Sequence, residues 1–294
     1  MDPTNQMERT LAKAPDVGKS SGPKSILVNV DNTDLMSNYL QSALAIARAS
    51  RGHLSCLHMT PVQSYVSFDT LGGVFVMENI VEAIETNAKL VRESVEKALK
   101  GEDVSWDYRE ITGMPEHQLV RYSALADLVV VGGDRTSPGG SPLGLIGDLL
   151  GQLRTPLFVP GNDGTVCNPN GAALIAWNSS FEAANAVRGS LEMLKLAESV
   201  HVIQVSEDAD PPFPETRLLE FLSRHGIHAE FRQSPVSAAN TEGVVSTILD
   251  RAAEVRAEYL VMGGYSHSRV GEYLFGGVTR SLLSNCPLAI LVSH

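Results

Sequence analysis

The chain repeats its own sequence, and this repeat constrains the fold more than any other feature. Residues 126–133 read ADLVVVGG and residues 257–264 read AEYLVMGG, an offset of 131 residues. The same offset separates Pro156 in RTPLFV from Pro287 in NCPLAILV. Self-similarity at a fixed spacing is the signature of a duplicated structural unit. With 294 residues, the chain is long enough for two domains of ordinary size.

The two copies also begin alike. ILVNVDNT at 26–33 aligns with ALIAWNSS at 173–180 at an offset of 147 residues. Because the offset falls from 147 at the start to 131 at the end, the first copy is about 16 residues longer than the second. We expect the additional residues to lie within SYVSFDTLGGVFVMENI, 64–80.

Each copy alternates strand and helix patterns. Runs such as LVVVGG and LAILV are continuously apolar, which is typical of strands buried on both faces of a parallel sheet. Ser179 and Glu182 form an S-x-x-E capping box, which predicts a helix start in the second copy. The predicted fold is α/β, with two tandem three-layer α/β/α domains, each a five-stranded, mostly parallel sheet. The predicted strands lie near 26–31, 54–59, 104–110, 127–132 and 156–160, and near 173–178, 200–205, 228–232, 259–263 and 288–292.

These patterns divide the chain into four segments. Residues 1–23 are polar and lack aromatic side chains, and we expect them to form a disordered N-terminal tail. The first domain is predicted at 24–160 and the second at 171–294. Residues 161–170, rich in Gly, Asn and Asp, are the predicted linker.

The composition argues against several kinds of partner. With 23 basic and 34 acidic residues, the net charge is −11, which argues against a nucleic-acid surface. No apolar run approaches the roughly 20 residues that cross a bilayer, so no membrane partner is expected. The N-terminus does not resemble a signal peptide. Three cysteines without a C-x-x-C pair predict two packing residues and one surface thiol in a reducing cytoplasm.

Motifs of the common catalytic classes are absent from the sequence. It contains no Walker A motif and no G-x-G-x-x-G. We do not expect the pairs His53/His58 and His225/His228 to bind zinc, and His225 and His228 straddle a predicted helix end and strand. We therefore expect neither an enzyme nor a resident metal.

The loop between the last two strands of the second copy carries the strongest binding signal. Ligands of parallel α/β sheets bind beyond the carboxyl ends of the strands, and Gly263 stands at such an end. Gly276 and Gly277 then open a helix, where exposed N–H groups attract phosphate. The N–H of Val278 and the hydroxyl of Thr279 add donors in the first turn.

This loop resembles the nucleotide-binding loop of the universal stress protein family, and the resemblance covers both copies. The family motif is written G-x-x-G, nine residues, then G-[S/T]. Gly263 and Gly276 match the first and third marked positions, whereas Ser266 and Gly277 stand at the other two. The resemblance implies that Gly263 and Ser266 line the ribose and phosphate path. His267, within the nine residues, is expected to supply a donor or positive charge.

The resemblance also implies a contact to the base. Family members carry an acidic residue at the end of the first strand, where it reaches the adenine. Asp31 matches this position in the first copy, and Asn178 stands there in the second. The first copy departs further from the motif, with Arg135 at the second glycine position. Nucleotide binding is therefore expected mainly in the second domain.

Taken together, the resemblance implies a tandem universal stress protein that binds or senses ATP or AMP without catalysis. Mg²⁺ accompanying the nucleotide is the only metal expected. The last strands of the two domains, at 158–160 and 290–292, are expected to pair and form an intramolecular pseudo-dimer. A homodimer and an unidentified protein partner are left open.

Two alternative functions are also left open. The first is an interaction module of the same fold that binds no nucleotide, as the departures from the motif permit. The second is a nucleotide-hydrolysing or nucleotidyl-transferring enzyme on a similar α/β fold.

Overall fold

The structure, a computed structural model, describes residues 21–33, 36–60, 67–68, 74–75, 78–132, 143–205, 214–235, 240–264 and 276–294. In the first half, the elements are β1 (Ser25–Val30), α1 (Met36–Ser50), β2 (His53–Thr60), β3 (Ser67–Phe68), β4 (Val74–Phe75), α2 (Glu78–Leu99), β5 (Ser105–Thr112), α3 (Pro115–Tyr122), β6 (Leu128–Val130), α4 (Gly144–Leu150) and β7 (Leu157–Val159). In the second half, they are β8 (Ala172–Trp177), α5 (Phe181–Gly189), α6 (Leu191–Leu194), β9 (Ser199–Val205), α7 (Glu215–Arg224), β10 (Ala229–Ser234), α8 (Thr241–Glu254), β11 (Ala257–Gly263), α9 (Gly277–Asn285) and β12 (Ala289–Ser293). Each predicted strand corresponds to an observed one.

Ten of these strands form one continuous sheet, in the order β10-β9-β8-β11-β12-β7-β6-β1-β2-β5. The five strands of each half lie in the same order from the middle of the sheet to its edge: fifth, fourth, first, second and third in chain order. This confirms that the sequence repeat is a structural repeat. In both halves the strand order reverses between the first and fourth strands, which are β1 and β6 in one half and β8 and β11 in the other.

The two halves are joined through their last strands. β7 and β12 pair antiparallel, whereas the other neighbouring strands of the sheet pair in parallel. The register places Ile290 opposite Val159, Leu291 opposite Phe158 and Val292 opposite Leu157. The predicted intramolecular pseudo-dimer is confirmed.

Helices cover both faces of the sheet and produce the predicted three layers. One face packs against α1, α2, α5, α6 and α7, and the other against α3, α4, α8 and α9. Each of the two apolar clusters contains residues of both halves. Along β12, Leu291 belongs to one cluster and Ile290 and Val292 to the other, so this strand is buried on both faces as its apolar sequence predicts.

The additional residues of the first copy include a small antiparallel pair, β3 with β4. Both strands lie within the predicted insertion at 64–80, and α2 begins near its end. At the start of the chain, Gly22 and Pro23 are buried although the sequence placed them in the tail. The Gly22 N–H donates to Glu192 Oε2 at 3.2 Å. Residues 1–20, the rest of the predicted tail, lie outside the described residues.

All three cysteines lie within the described residues, and all are buried without a disulfide. The prediction of one surface thiol was therefore wrong. Cys167 sits in a turn-rich stretch, but it is buried, and its N–H donates to the Ser42 hydroxyl at 3.1 Å. Burial raises the pKa of the Cys56 thiol to about 12.

Among the helices that the structure describes, none has the length and apolar character needed to cross a membrane.

The junction between the halves can be tested by removing one buried ring. Phe158 is fully buried on β7, so Phe158→Ala is expected to lower the free energy of unfolding by about 3–5 kcal/mol. Phe181→Ala is the matched control, because that ring is 71% exposed and its loss should change stability by less than about 0.5 kcal/mol. Urea denaturation followed by circular dichroism measures both. Equal losses in the two variants would contradict the assigned role of the junction.

Candidate functional site

A cavity of about 290 Å³ opens in the second half, at the carboxyl ends of β8, β9 and β11. It lies where the strand order reverses between β8 and β11, the position at which open α/β sheets bind ligands. Its walls come from three strands and from α8 and α9. The lining residues are Ala176, Trp177, Asn178, Ile203, Val205, Val244, Ile248, Met262, Gly263, Val278, Thr279 and Leu282.

Four of the predicted site residues meet at this cavity. They are Asn178, Gly263, Val278 and Thr279, which come from the ends of β8 and β11 and from the first turn of α9. None of the described side chains that line the cavity carries a charge, so these residues combine apolar walls with a few neutral polar groups.

The other predicted site residues are placed differently. Gly276 and Gly277 stand at the start of α9 but do not line the cavity. Asp31 lies in the other half, at the end of β1. Ser266 and His267 lie outside the described residues.

Asn178 is exposed at the mouth of the cavity. Its amide oxygen accepts a hydrogen bond from the Ser180 N–H at 3.2 Å. This hydrogen bond closes an Asx turn that directs the chain from β8 into α5 and holds the Asn178 side chain at the strand end. A carboxamide also carries two N–H donors and a second lone pair, which are the groups that remain for a ligand.

Asp31 makes the equivalent turn in the first half but has further partners. Its Oδ1 accepts from the Thr33 N–H at 3.1 Å, from the Thr33 hydroxyl at 2.6 Å and from the Tyr39 hydroxyl at 2.7 Å. Burial, followed by the nearby Asp31 charge, raises the pKa of Tyr39, so its phenol stays protonated and donates. The Asp31 carboxylate is thus held by the protein itself.

Tyr39 also occupies the space beside the strand-order reversal of the first half. A Cβ added at Gly132 would lie 2.4 Å from Tyr39 Cε1. At the offset of 147 residues, the counterpart of Tyr39 is Ala186. The ring that fills this region of the first half therefore has no equivalent in the second.

Gly263 has a packing role as well as a place in the cavity wall. A Cβ at this position would lie 2.6 Å from the Ala183 nitrogen and 2.7 Å from the Glu182 carbonyl carbon. Because both are backbone atoms, a side chain here would force β11 and α5 apart. The glycine is needed for close strand–helix packing whether or not a ligand binds.

The first turn of α9 is arranged as the sequence predicted. Gly276 is the N-cap, with φ −61° and ψ 151°, and no side chain caps the helix. A Cβ at Gly276 would have no atom of a described residue within 4 Å, whereas one at Gly277 would lie 2.7 Å from Thr241 Oγ1 on α8. The helix start is thus held against α8 at Gly277.

The start of α5 differs from the prediction. Its N-cap is Ser180, whose hydroxyl accepts from the Ala183 N–H at 3.1 Å. Ser179 has φ +60°, is buried and finds no partner for its hydroxyl among the described residues. The predicted capping box was wrong by one residue because the Asn178 turn places Ser179 in the left-handed region.

The apolar walls contributed by β9 and α8 were missed at the sequence level. Ile203 and Val205 on β9, and Val244 and Ile248 on α8, line the cavity. One sequence feature could have indicated the wall from β9, because this strand ends in an apolar residue where it emerges from the core. Among the residues described, no group of three His, Cys, Asp or Glu is placed to hold a metal.

The fold and the site define a two-domain α/β protein with a candidate ligand cavity at a strand-order reversal. The family model of the universal stress protein family matches residues 23–148. Those residues therefore form a universal stress protein domain, and the second half repeats its topology.

Solved structures of similar fold cover both halves. A universal stress protein from Archaeoglobus fulgidus DSM 4304 has a TM-score of 0.68 and 17% identity, covering 92% of this chain and 96% of that one. A protein of unknown function from Pseudomonas aeruginosa PAO1 has a TM-score of 0.54 and 17% identity, covering 92% of each chain. At these identities the likeness establishes the fold. The sequence matches no curated protein.

The observed cap gives a direct test of the local geometry at this site. Ser180→Ala removes the oxygen that caps α5 and is expected to cost about 1 kcal/mol of stability. Ser179→Ala is the matched control and should cost less than half as much, because its hydroxyl has no partner among the described residues. Thermal denaturation of both variants measures the difference. The reverse order would favour the capping box at Ser179.

Proposed function

We propose that this protein is a non-catalytic universal stress protein that binds an adenine nucleotide, ATP or AMP, in its second half. The observation that carries the proposal is the convergence of Asn178, Gly263, Val278 and Thr279 on one cavity at the β8/β11 strand-order reversal. The proposed domains are residues 24–160 and 171–294, with 161–170 as the linker.

The adenine ring would occupy the apolar cavity. Ile203, Val205 and Val244 supply walls suited to a planar ring. The Asn178 amide lies at the mouth, where it can donate to a ring nitrogen and accept from the exocyclic amine. At about 290 Å³, the cavity is close to the lower limit for ligand pockets, so it accommodates the base while the rest of the nucleotide extends outward.

The phosphates would lie over the start of α9. The first N–H groups of a helix have no partner within the helix, and the helix dipole favours an anion there. The start of α9 is formed by Gly276, Gly277 and the Val278 N–H, and the Thr279 hydroxyl adds a donor. We assign Ser266 and His267 to the same phosphate path, with Mg²⁺ accompanying ATP.

The first half is not proposed as a nucleotide site. The Asp31 carboxylate is bonded to Tyr39 and Thr33, and the Tyr39 ring lies against Gly132. A base that contacts the Asp31 carboxylate would have to compete with these hydrogen bonds. The two halves thus share a fold but differ in the space and the polar groups at the equivalent position.

The charge of the cavity wall can be changed to test the proposal. Val278→Asp places a carboxylate at the first turn of α9 and should weaken ATP and AMP binding more than tenfold, since the phosphates would meet a negative charge. Val166→Asp is the matched control, because Val166 is exposed in the linker. Isothermal titration calorimetry with each nucleotide measures the affinities.

Three outcomes would overturn the proposal in different ways. Failure of the wild-type protein to bind either nucleotide at millimolar concentration would favour the interaction module. Equal affinities in Val278→Asp and Val166→Asp would place the nucleotide elsewhere. Nucleotide turnover that is lost in Val278→Asp and kept in Val166→Asp would favour an enzyme.

A further inference from the structure

Two adjoining cavities lie on the opposite face of the sheet, between α5 and α7. The larger, of about 650 Å³, is lined by Arg154, Asn185, Arg188, Gly189, Leu191, Phe221, His225, Ser293 and His294. The smaller, of about 160 Å³, is lined by Trp177, Ala184, Val187, Arg188, Arg217, Leu218 and Phe221. Arg188 and Phe221 line both, so the two cavities adjoin, and together they are here called the arginine cleft.

The arginine cleft concentrates positive charge on an acidic protein. Arg154, Arg188 and Arg217 line it, and among the residues that the structure describes no aspartate or glutamate does, although the net charge of the chain is −11. Elsewhere on α7, Arg224 pairs with Glu220 at 3.1 Å. In the part of the chain that the structure describes, Arg154 and Arg188 have no such ion pair. Arginines without carboxylate partners are suited to bind an anionic group through paired N–H donors.

Buried polar atoms in the arginine cleft also lack partners. Ser293 is 7% exposed and lines the larger cavity, and its hydroxyl has no hydrogen bond to any described residue. Trp177 is 4% exposed and lines both the smaller cavity and the proposed nucleotide cavity, and its indole N–H is likewise unpaired among the described residues. Buried polar atoms are normally satisfied, so exceptions indicate a group that completes them. The Ser293 hydroxyl, which does not line the nucleotide cavity, is the second, independent indication of a ligand in the arginine cleft.

The smaller cavity is mostly apolar. Trp177, Val187, Leu218 and Phe221 form its walls, and the small side chain of Ala184 leaves room between α5 and α7. Arg188 and Arg217 also line it. This narrow space suits an alkyl chain whose charged end projects into the larger cavity.

The arginine cleft depends on the pairing of the two halves. Arg154 precedes β7 in the first half, whereas Arg188 and Ser293 belong to the second. A Cβ at Gly189 would lie 2.9 Å from Pro156 Cγ and 3.2 Å from Ser293 Oγ, so the halves are in close contact at this point. A ligand here would contact both domains.

We propose that the arginine cleft binds an organic anion with an alkyl chain. The acid group, carboxylate or phosphate, is held by Arg154 and Arg188, and the chain lies against Phe221 and Leu218. Trp177 lines both this site and the proposed nucleotide cavity, but the remaining residues differ, because the nucleotide cavity is closed by α8 and α9 on the other side of the sheet.

Calorimetry with four probes tests the proposal on the full chain. Octanoate and octyl phosphate carry both features of the ligand, octanol lacks the charge, and inorganic phosphate lacks the chain. We expect at least one octyl anion to bind, with octanol and inorganic phosphate at least tenfold weaker. The octyl anion that binds more tightly identifies the acid group. Binding should also change the tryptophan fluorescence of a Trp106→Phe variant, in which Trp177 is the remaining indole.

Substitutions assign the binding to the arginine cleft. Arg188→Gln and Phe221→Ala should each weaken the octyl anion at least tenfold. Arg121→Gln is the matched control, because Arg121 is exposed at the end of α3 in the first half and lines neither cavity. Circular dichroism of the Arg188→Gln and Arg121→Gln variants checks that each keeps the fold of the wild-type protein.

The failures of the two proposals are distinguishable. No octyl anion binding at millimolar concentration, or equal weakening by Arg188→Gln and Arg121→Gln, overturns the arginine cleft. Inorganic phosphate binding as tightly as octyl phosphate overturns the alkyl-chain assignment. Val278→Asp should leave octyl anion binding unchanged. Loss of ATP binding in Arg188→Gln but not in Val278→Asp would instead place the nucleotide in the arginine cleft and overturn the nucleotide assignment.

Discussion

The antiparallel pairing of β7 with β12 is the interaction on which the rest of the structure depends. Without it, each half would end in an apolar edge strand with unpaired backbone groups, which is a template for aggregation. Three residue pairs, from Ile290–Val159 to Val292–Leu157, satisfy those groups within one chain. The same pairing extends both apolar clusters across the junction and creates the arginine cleft between Arg154 and Arg188.

The duplicated halves share their topology and differ at the position where a ligand would bind. In the first half, the strand end carries Asp31 bonded to Tyr39, and the Tyr39 ring lies against Gly132. In the second, Asn178 stands at the mouth of a cavity and Ala186 replaces the ring. The half that matches the universal stress protein family model is therefore not the half with the candidate nucleotide cavity. The two copies therefore share a fold and differ in the hydrogen-bond partners of the polar residue at the end of their first strand.

Much of the fold could be predicted because it depends on local patterns and on repetition. Continuous apolar runs marked the buried strands, and the equal offset of Pro156 and Pro287 aligned the two last strands, whose pairing followed from the family resemblance. The candidate site was predicted in part. Asn178, Gly263, Val278 and Thr279 do meet, but the walls from β9 and α8 were missed because those elements are distant in sequence. The cap at Ser180 and the burial of Cys167 were also missed, since each depends on a contact that the local sequence does not encode.

The sequence by itself determined that this chain is a duplicated α/β protein, since the repeat, the apolar periodicity and the glycine positions are local and are written directly in the chain. Only the tertiary structure decided that β8, β9, β11, α8 and α9 enclose one cavity, because these elements are distant in sequence and meet only in the folded chain. The tertiary structure also decided which arginines without an ion pair among the described residues line one cleft. Arg154 and Arg188 are distant in sequence and from different halves, and the β7–β12 pairing brings them to one cleft.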